Sequence, residues 1–286
     1  MKILPRLLLG TGFLIGASGV ALSAPEDASA KPLRILLITG GCCHDYAKQK
    51  DLLKEGIEKR LKATVDQVHS DDKSTQPPLA IFGHPDYAKG YDLVIHDECA
   101  ASISDPATIQ GVLAPHQQGI PGVNLHCAMH CYRIGPASEP ATAGSPRAAW
   151  FDYLGLQSSG HGPQEPIAIT YLEKNHPLAR DLPEWTTTKE ELYNNIKIFD
   201  SAQPIAQGKQ RVKKKAPKGA PPATAPQEEE EKEAVVAWTN LYQGKTRVFS
   251  TSLGHNNETV ADDRYLDLVT RGILWATGRI GSEPRK

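Results

Sequence analysis

The sequence lacks most of the signatures that name a function outright. It has no G-x-x-x-x-G-K-[ST] or G-x-G-x-x-G phosphate loop, and no G-x-S-x-G nucleophile elbow. The common nucleotide-binding and serine-hydrolase motifs are therefore excluded. Net charge is -1, with no basic patch interleaved with aromatics, so nothing attracts nucleic acid or an anionic membrane. Aromatic residues are only 6% of the chain, which argues against rows of stacking platforms. None of the five cysteines forms a C-x-x-C pair, which speaks against a zinc ribbon and a thioredoxin-like motif. No internal repeat is visible.

What is present is globular. The chain has 286 residues, 40% hydrophobic and 23% charged. A chain of this size buries about 70–75% of its unfolded surface and needs no disulfide staple. At the start, Lys2 and Arg6 lead into an apolar run that ends in small residues near Ala24. This is the pattern of a signal peptide over residues 1–24, removed on export to the periplasm or beyond. A short linker at 25–32, a domain at 33–280 and a tail at 281–286 complete the division. No membrane attachment is expected after cleavage. Five cysteines leave at least one unpaired, and Cys42 and Cys43 are not both expected to be tied up in structural disulfides.

Residues 35–39 read as a buried strand that runs into "TGGCCHD". Leu52, Leu53, Ile57 and Leu61 recur at helical spacing, with Asp45 as a cap. Strands follow at 64–69, 92–96 and in "IPGVNLHC". Between the last two, Asp105 and Pro106 start a helix. Alternating strands and helices predict an α/β fold with a mostly parallel sheet covered on both faces. Further on, "EPIAITYL" is a strand. Gln243 and Gly244 turn a hairpin, and Leu266, Val269, Ile273 and Ala276 line one face of a closing helix. Residues 208–234 run from basic through Pro/Ala-rich to acidic, and are expected to be a disordered insert.

Parallel sheets bind ligands beyond the carboxyl ends of their strands. Cys42, Cys43, His44 and Asp45 follow the first strand. His96, Asp97, Glu98 and Cys99 follow the third, and His126, Cys127, His130 and Cys131 follow the fourth. Every cysteine lies in one of these three tips, which predicts a polar, thiol-rich crevice wall.

The motifs "TGGCCHD", "YDLVIHDE", "GVNLHCAMHCYR", "NHPLARDLP", "EELY" and "GKTRVFSTSLGH" resemble, in that order, the ThuA-like family. That family takes its name from trehalose utilisation and sits in the class I glutamine amidotransferase-like superfamily. The resemblance implies a flavodoxin-like three-layer sandwich and an enzyme of disaccharide or keto-sugar catabolism. In amidotransferases a cysteine nucleophile occupies the elbow of a G-x-C-x-G pattern. Here His126 stands at that place, so glutaminase activity is not expected. The family's histidines and carboxylate map to His44, His126, His161, His176, Glu191 and His255.

On this reading His44, Asp45, His126, Glu191 and His255 are candidate catalytic groups for acid–base chemistry. Cys43, Cys127, His130, His161 and Tyr193 are candidates for substrate contact, and His176 is read as structural. His44, His126 and His255 are a candidate metal set, with Zn²⁺ the cofactor considered. The expected partner is a small-molecule sugar. Homo-oligomerisation is left open, as are two other functions: carbohydrate binding without turnover, and thiol redox chemistry through Cys42 and Cys43.

Overall fold

The computed structural model describes residues 31–214 and 228–280. The proposed signal peptide, most of the linker and the tail lie outside these residues. Nine strands form one sheet: β1 (Leu33–Gly41), β2 (Ala63–Ser70), β3 (Leu93–Cys99), β4 (Gly122–Leu125), β5 (Leu156–Tyr171), β6 (Trp185–Ile198), β7 (Ala202–Lys213), β8 (Glu229–Tyr242) and β9 (Thr246–Thr251). The helices are α1 (Tyr46–Arg60), α2 (Pro106–Gln117), α3 (Ala149–Leu154), α4 (Asn257–Val260) and α5 (Asp263–Ala276). None of them is long and apolar enough to cross a membrane.

Across the sheet the strands run β2-β1-β3-β4-β9-β8-β7-β5-β6. Pairing is parallel from β2 through β9 and antiparallel from β9 to β6. The expectation of a mostly parallel sheet thus holds for one end only. The reason lies in the connections. Helical crossovers join β1 to β2 and β3 to β4, whereas β7–β8 and β8–β9 are hairpins, which force antiparallel pairing.

Alternate residues of the parallel strands enter two cores. Ile35, Leu37 and Val123 pack with Leu53 and Ile57 of α1 and with Leu266, Val269 and Ile273 of α5. Leu36, Ile38 and Val94 pack with Ile109, Val112 and Leu113 of α2 and Trp150 of α3 on the other face. The result is an α/β sandwich with helices on both sides of the sheet. Asp105 caps α2 as expected, its carboxylate accepting the Thr108 N–H at 2.8 Å. The β8–β9 turn is also as expected, with Gln243 and Gly244 both at positive φ.

The 208–234 segment differs from its reading as disordered. Residues 208–213 continue β7 and 229–234 continue β8, paired in register from Gly208–Ala234 out to Lys213–Glu229. The basic and acidic blocks face each other across the ladder, as in Lys209–Glu231 at 3.4 Å and Lys214–Glu228 at 2.7 Å. Backbone pairing and opposite charges shape this arm where apolar burial is scarce. Its tip, 215–227, lies outside the described residues.

Candidate functional site: a histidine–carboxylate cluster

The cluster begins at the end of β1. Gly40 and Gly41 carry φ of +134° and +101°. A Cβ at Gly41 would strike the Cys99 carbonyl, and one at Gly40 the Ser70 carbonyl. Only glycines let the tip of β1 pass so close to its neighbours. His44 follows, half-buried, with Nδ1 3.1 Å from the Tyr46 hydroxyl.

His126 is the first residue after β4 and opens a short 3₁₀ turn, His126–His130. Its φ is +39°, a strained elbow for a residue with a Cβ. Nδ1 lies 2.7 Å from the Ser252 carbonyl. A carbonyl only accepts, so Nδ1 carries a hydrogen, and Nε2 is the atom turned to the site.

His255 arrives after β9 on a loop held from two sides. Buried Glu190 accepts the His255 N–H at 2.9 Å and those of Gly254 and Asn256 at 3.4 and 3.5 Å. Gln49 of α1 donates to the Gly254 and His255 carbonyls at 3.4 and 3.0 Å. Gly254 turns at φ +117°, where a Cβ would press on the Tyr265 hydroxyl. Neither Glu190 nor Gln49 was picked out from the sequence. The doubled acid of "EELY" was the visible signal for Glu190, and Gln49 gave none.

These pieces meet at His255 Nδ1. It lies 3.0 Å from His44 Nε2, 3.3 Å from His126 Nε2 and 3.3 Å from Glu191 Oε2. His126 Nε2 is 3.6 Å and His161 Nδ1 3.4 Å from the same Glu191 oxygen. On its other side, His255 Nε2 meets the Gln164 amide at 2.8 Å. That amide offers nitrogen to a bare ring nitrogen and oxygen to a protonated one.

Electrostatics divide the rings. Burial, then the charges of His126 and His255, push His44 down to about 2, so it is neutral. Burial alone would lower His255, but the hydrogen bond and charge of Glu191 outweigh it and raise its pKa. Burial would raise Glu191, yet its bonds to His126 and His255 hold it well below the usual carboxylate range. Glu191 therefore favours the protonated form of His255, beside a neutral His44.

Three imidazole nitrogens thus converge, His44 Nε2, His126 Nε2 and His255 Nδ1, with Glu191 Oε2 against the last two. The three imidazole nitrogens lie within 4.8 Å of one another. Around a tetrahedral ion with bonds of about 2.0–2.1 Å, ligand atoms lie about 3.3–3.4 Å apart. The observed histidine contacts of 3.0 and 3.3 Å lie close to that value. Three histidines are a donor set for Zn²⁺, and the His126–Ser252 bond supplies the outer support that such ligands use. The residues fit a divalent cation.

A crevice of about 620 Å³ opens beside the cluster, lined by His44, His255, Asp45, Cys43, Lys73 and Asn257 among others. Asp45 is exposed there. Its carboxylate accepts from Asn257 Nδ2 at 2.9 Å and does not cap α1, contrary to expectation. Cys43 is at the mouth, disulfide-bonded to Cys42. The expectation that these two are not both tied up in disulfides is overturned.

Other expected contacts with substrate are sealed. Tyr193 and His130 are buried and stack at 4.2 Å, with His126 5.1 Å from the Tyr193 ring. They support His126 and do not face the crevice. Cys127 is buried against Cys99 and Tyr46, away from solvent. His161 is exposed at the sheet edge, within reach of Glu191. His176 lies elsewhere, its Nδ1 accepting the Leu178 N–H at 3.2 Å. His96, Asp97 and Glu98 are not beyond the third strand but within it, because β3 runs on to Cys99. His96 and Glu98 turn to one face, where His96 meets Glu98 and His116 at 2.9 and 3.1 Å in the core.

A histidine elbow at the carboxyl edge of the parallel half, in a sheet extended by an antiparallel arm, defines an α/β sandwich protein with a strand-tip histidine site. The chain belongs to the ThuA family, described as trehalose utilisation, whose model matches residues 34–276. The structure is similar to that of a ThuA-like protein from Parabacteroides merdae. The two are 21% identical, with a TM-score of 0.59, over 90% of this chain and 94% of that one. A GMP synthase protein from Thermoplasma acidophilum matches at 10% identity and a TM-score of 0.45, over 86% of this chain and 96% of that one. No curated protein matches the chain.

Proposed function

We propose that this ThuA-family chain is an exported enzyme of carbohydrate catabolism. Its reaction is proton transfer next to the carbonyl of a sugar or keto-sugar, as isomerisation or elimination requires. The observation that carries this reading is the convergence of His44, His126 and Glu191 on His255 Nδ1. Abstraction of a proton next to a carbonyl needs a base and an acid on one edge of the substrate. Glu191 raises the pKa of His255, which makes this pair the candidate proton carrier, and neutral His44 orients it through the 3.0 Å contact. His44 and His255 line the crevice. Its size lies in the range of small-ligand sites, and Asp45, Lys73 and Asn257 offer polar partners for hydroxyls.

With a divalent cation such as Zn²⁺ bound, His44, His126 and His255 would be its ligands and not proton carriers, leaving Glu191 for proton transfer. Bound there, the ion would polarise the substrate carbonyl. Cys127 is sealed against Cys99, so no thiolate stands at the elbow, and this speaks against glutaminase chemistry. The strand order β2-β1-β3-β4-β9 supports a flavodoxin-like reading of the parallel half. Residues 1–24 support export. Carbohydrate binding without turnover is less favoured, because Tyr46 is the one Tyr, Trp or Phe in the crevice lining.

The test is metal analysis of protein purified without chelator, then incubation with a panel of disaccharides and their keto forms. Turnover that is lost in His255→Ala supports the proposal. Binding without turnover of any panel member overturns it in favour of a sugar-binding protein.

A further inference from the structure

The cysteines are not used by the proton-transfer chemistry, yet all five gather at the same sheet edge. Cys42 and Cys43 form a disulfide, while Cys99, Cys127 and Cys131 are free and buried. The sulfurs of Cys42, Cys43 and Cys99 lie within 4.8 Å of one another. The Cys99 sulfur is 3.3 Å from that of Cys42. The sulfurs are in contact but bent, so in-line attack requires the Cys42 side chain to turn first. The register explains the contact: Gly41 pairs with Cys99 across β1 and β3, and Cys42 is the next residue.

We propose that Cys99 exchanges with the Cys42–Cys43 disulfide and delivers a free Cys43 thiol to the mouth of the crevice, where it takes soft electrophiles. Cys99 sulfur, as thiolate, attacks Cys42 sulfur. The Cys99–Cys42 bond forms and the Cys42–Cys43 bond breaks. The Cys43 sulfur leaves as thiolate and takes up a proton, replacing the one Cys99 gave up. One disulfide replaces another, so no oxidant or reductant is consumed.

Three observations support the direction of the exchange. First, the Cys99–Cys127 contact and the Ala101 amide favour the Cys99 thiolate, lowering its pKa despite burial. Second, Cys43 is a non-glycine residue at φ +81°, a conformation that residues with a Cβ rarely adopt and that a released Cys43 is freer to leave. Third, the new bond would tie the tips of adjacent strands. The two sulfurs need close by only about 1.2 Å to reach bonding distance. The freed thiol is exposed beside His44, and both residues line the crevice.

The test uses the whole folded chain without reductant, treated with excess N-ethylmaleimide, then unfolded and peptide-mapped by mass spectrometry without reduction. The alkylator traps the released thiol, so exchange is drawn to completion. The expected result is one label, at Cys43, together with a Cys42–Cys99 cross-linked peptide. Cys99→Ala should reduce labelling of Cys43 at least tenfold. The wild-type map stands even if that variant folds poorly. An unlabelled chain with Cys99 still free overturns the proposal. So does labelling of Cys42 and Cys43 together, or labelling of Cys43 that persists in Cys99→Ala.

Discussion

His126 Nε2 and His255 Nδ1 lie 3.3 Å apart, although 129 residues of chain separate them. Each ring is aimed by a backbone partner: His126 by the Ser252 carbonyl, His255 by a loop whose amides Glu190 gathers. Both contacts tie the site to the stretch just after β9.

Glu191→Gln preserves volume and removes charge. The His255 pKa should then drop, because burial remains and the carboxylate that opposed it is gone. NMR titration of the His255 ring should show the drop, and kcat/KM on the active substrate should decrease about 100-fold or more. An unmoved His255 titration would show that Glu191 is not its counter-ion.

Chelator-stripped protein should gain stability on addition of Zn²⁺. At a free concentration one hundred times Kd the gain is about 2.7 kcal/mol. His126→Ala and Glu191→Gln should each weaken or abolish it, read as the rise in Tm on metal addition. An equal rise in both variants would place the ion elsewhere.

Asp97 is buried, and its Oδ2 has no hydrogen-bond partner among the described residues. Burial first, then the charge of Glu98, push its pKa well above 3.8. A carboxyl whose folded pKa exceeds its unfolded one stabilises most below the unfolded value and loses that contribution as pH rises through the folded one. Asp97→Asn should therefore match the wild type near pH 4. It should gain progressively above that, by about 2–4 °C in Tm at pH 8. A constant offset at every pH would refute the titration.

Glu190→Ala removes the acceptor of the 254–256 amides. Leaving buried N–H groups unpaired is destabilising by about 1–3 kcal/mol. Hydrogen exchange should accelerate at Gly254, His255 and Asn256 before it does in α5. Uniform acceleration would mean that Glu190 supports the whole fold and not the loop.

Replacing residues 214–228 with an Asn-Gly turn should leave Tm within about 2 °C, because exposed ion pairs contribute little. Cutting further, through Gln210 and Val212, should be harmful. Both are buried, and Gln210 Nε2 donates to the Glu165 and Glu190 carbonyls at 2.8 and 2.9 Å. Equal tolerance of both cuts would show that the inner rungs do not pack.

The parallel half was legible because its strands are buried on both faces and read as apolar runs, as in "RILLITG". The arm formed by β7 and β8 was not, because its outer rungs are Lys, Arg and Glu, a composition shared with disordered linkers. His44, His126 and His255 could be picked out as strand-tip residues. Cys127 and His130 stood in the same tip but turn inward, since a 3₁₀ turn follows at once and sends successive side chains to different faces. Sequence spacing also could not place Gln49 against His255, which lies 206 residues on. For Cys42 and Cys43, a core that needs no staple and an odd cysteine count argued against bridging, but the backbone at Cys43 adopts the left-handed turn that accommodates a bridge.

The pairing of β4 with β9 has a kinetic consequence. Gly122 sits beside Val248, with the whole antiparallel excursion β5–β8 threaded between them in the chain. Closing so long a loop carries an entropic penalty that local contacts do not offset. β1–β3 and their helices can form early from near neighbours. The histidine elbow after β4 is complete only once β9 docks. During synthesis the nascent protein therefore lacks the Ser252 carbonyl that secures His126 until β9 has emerged.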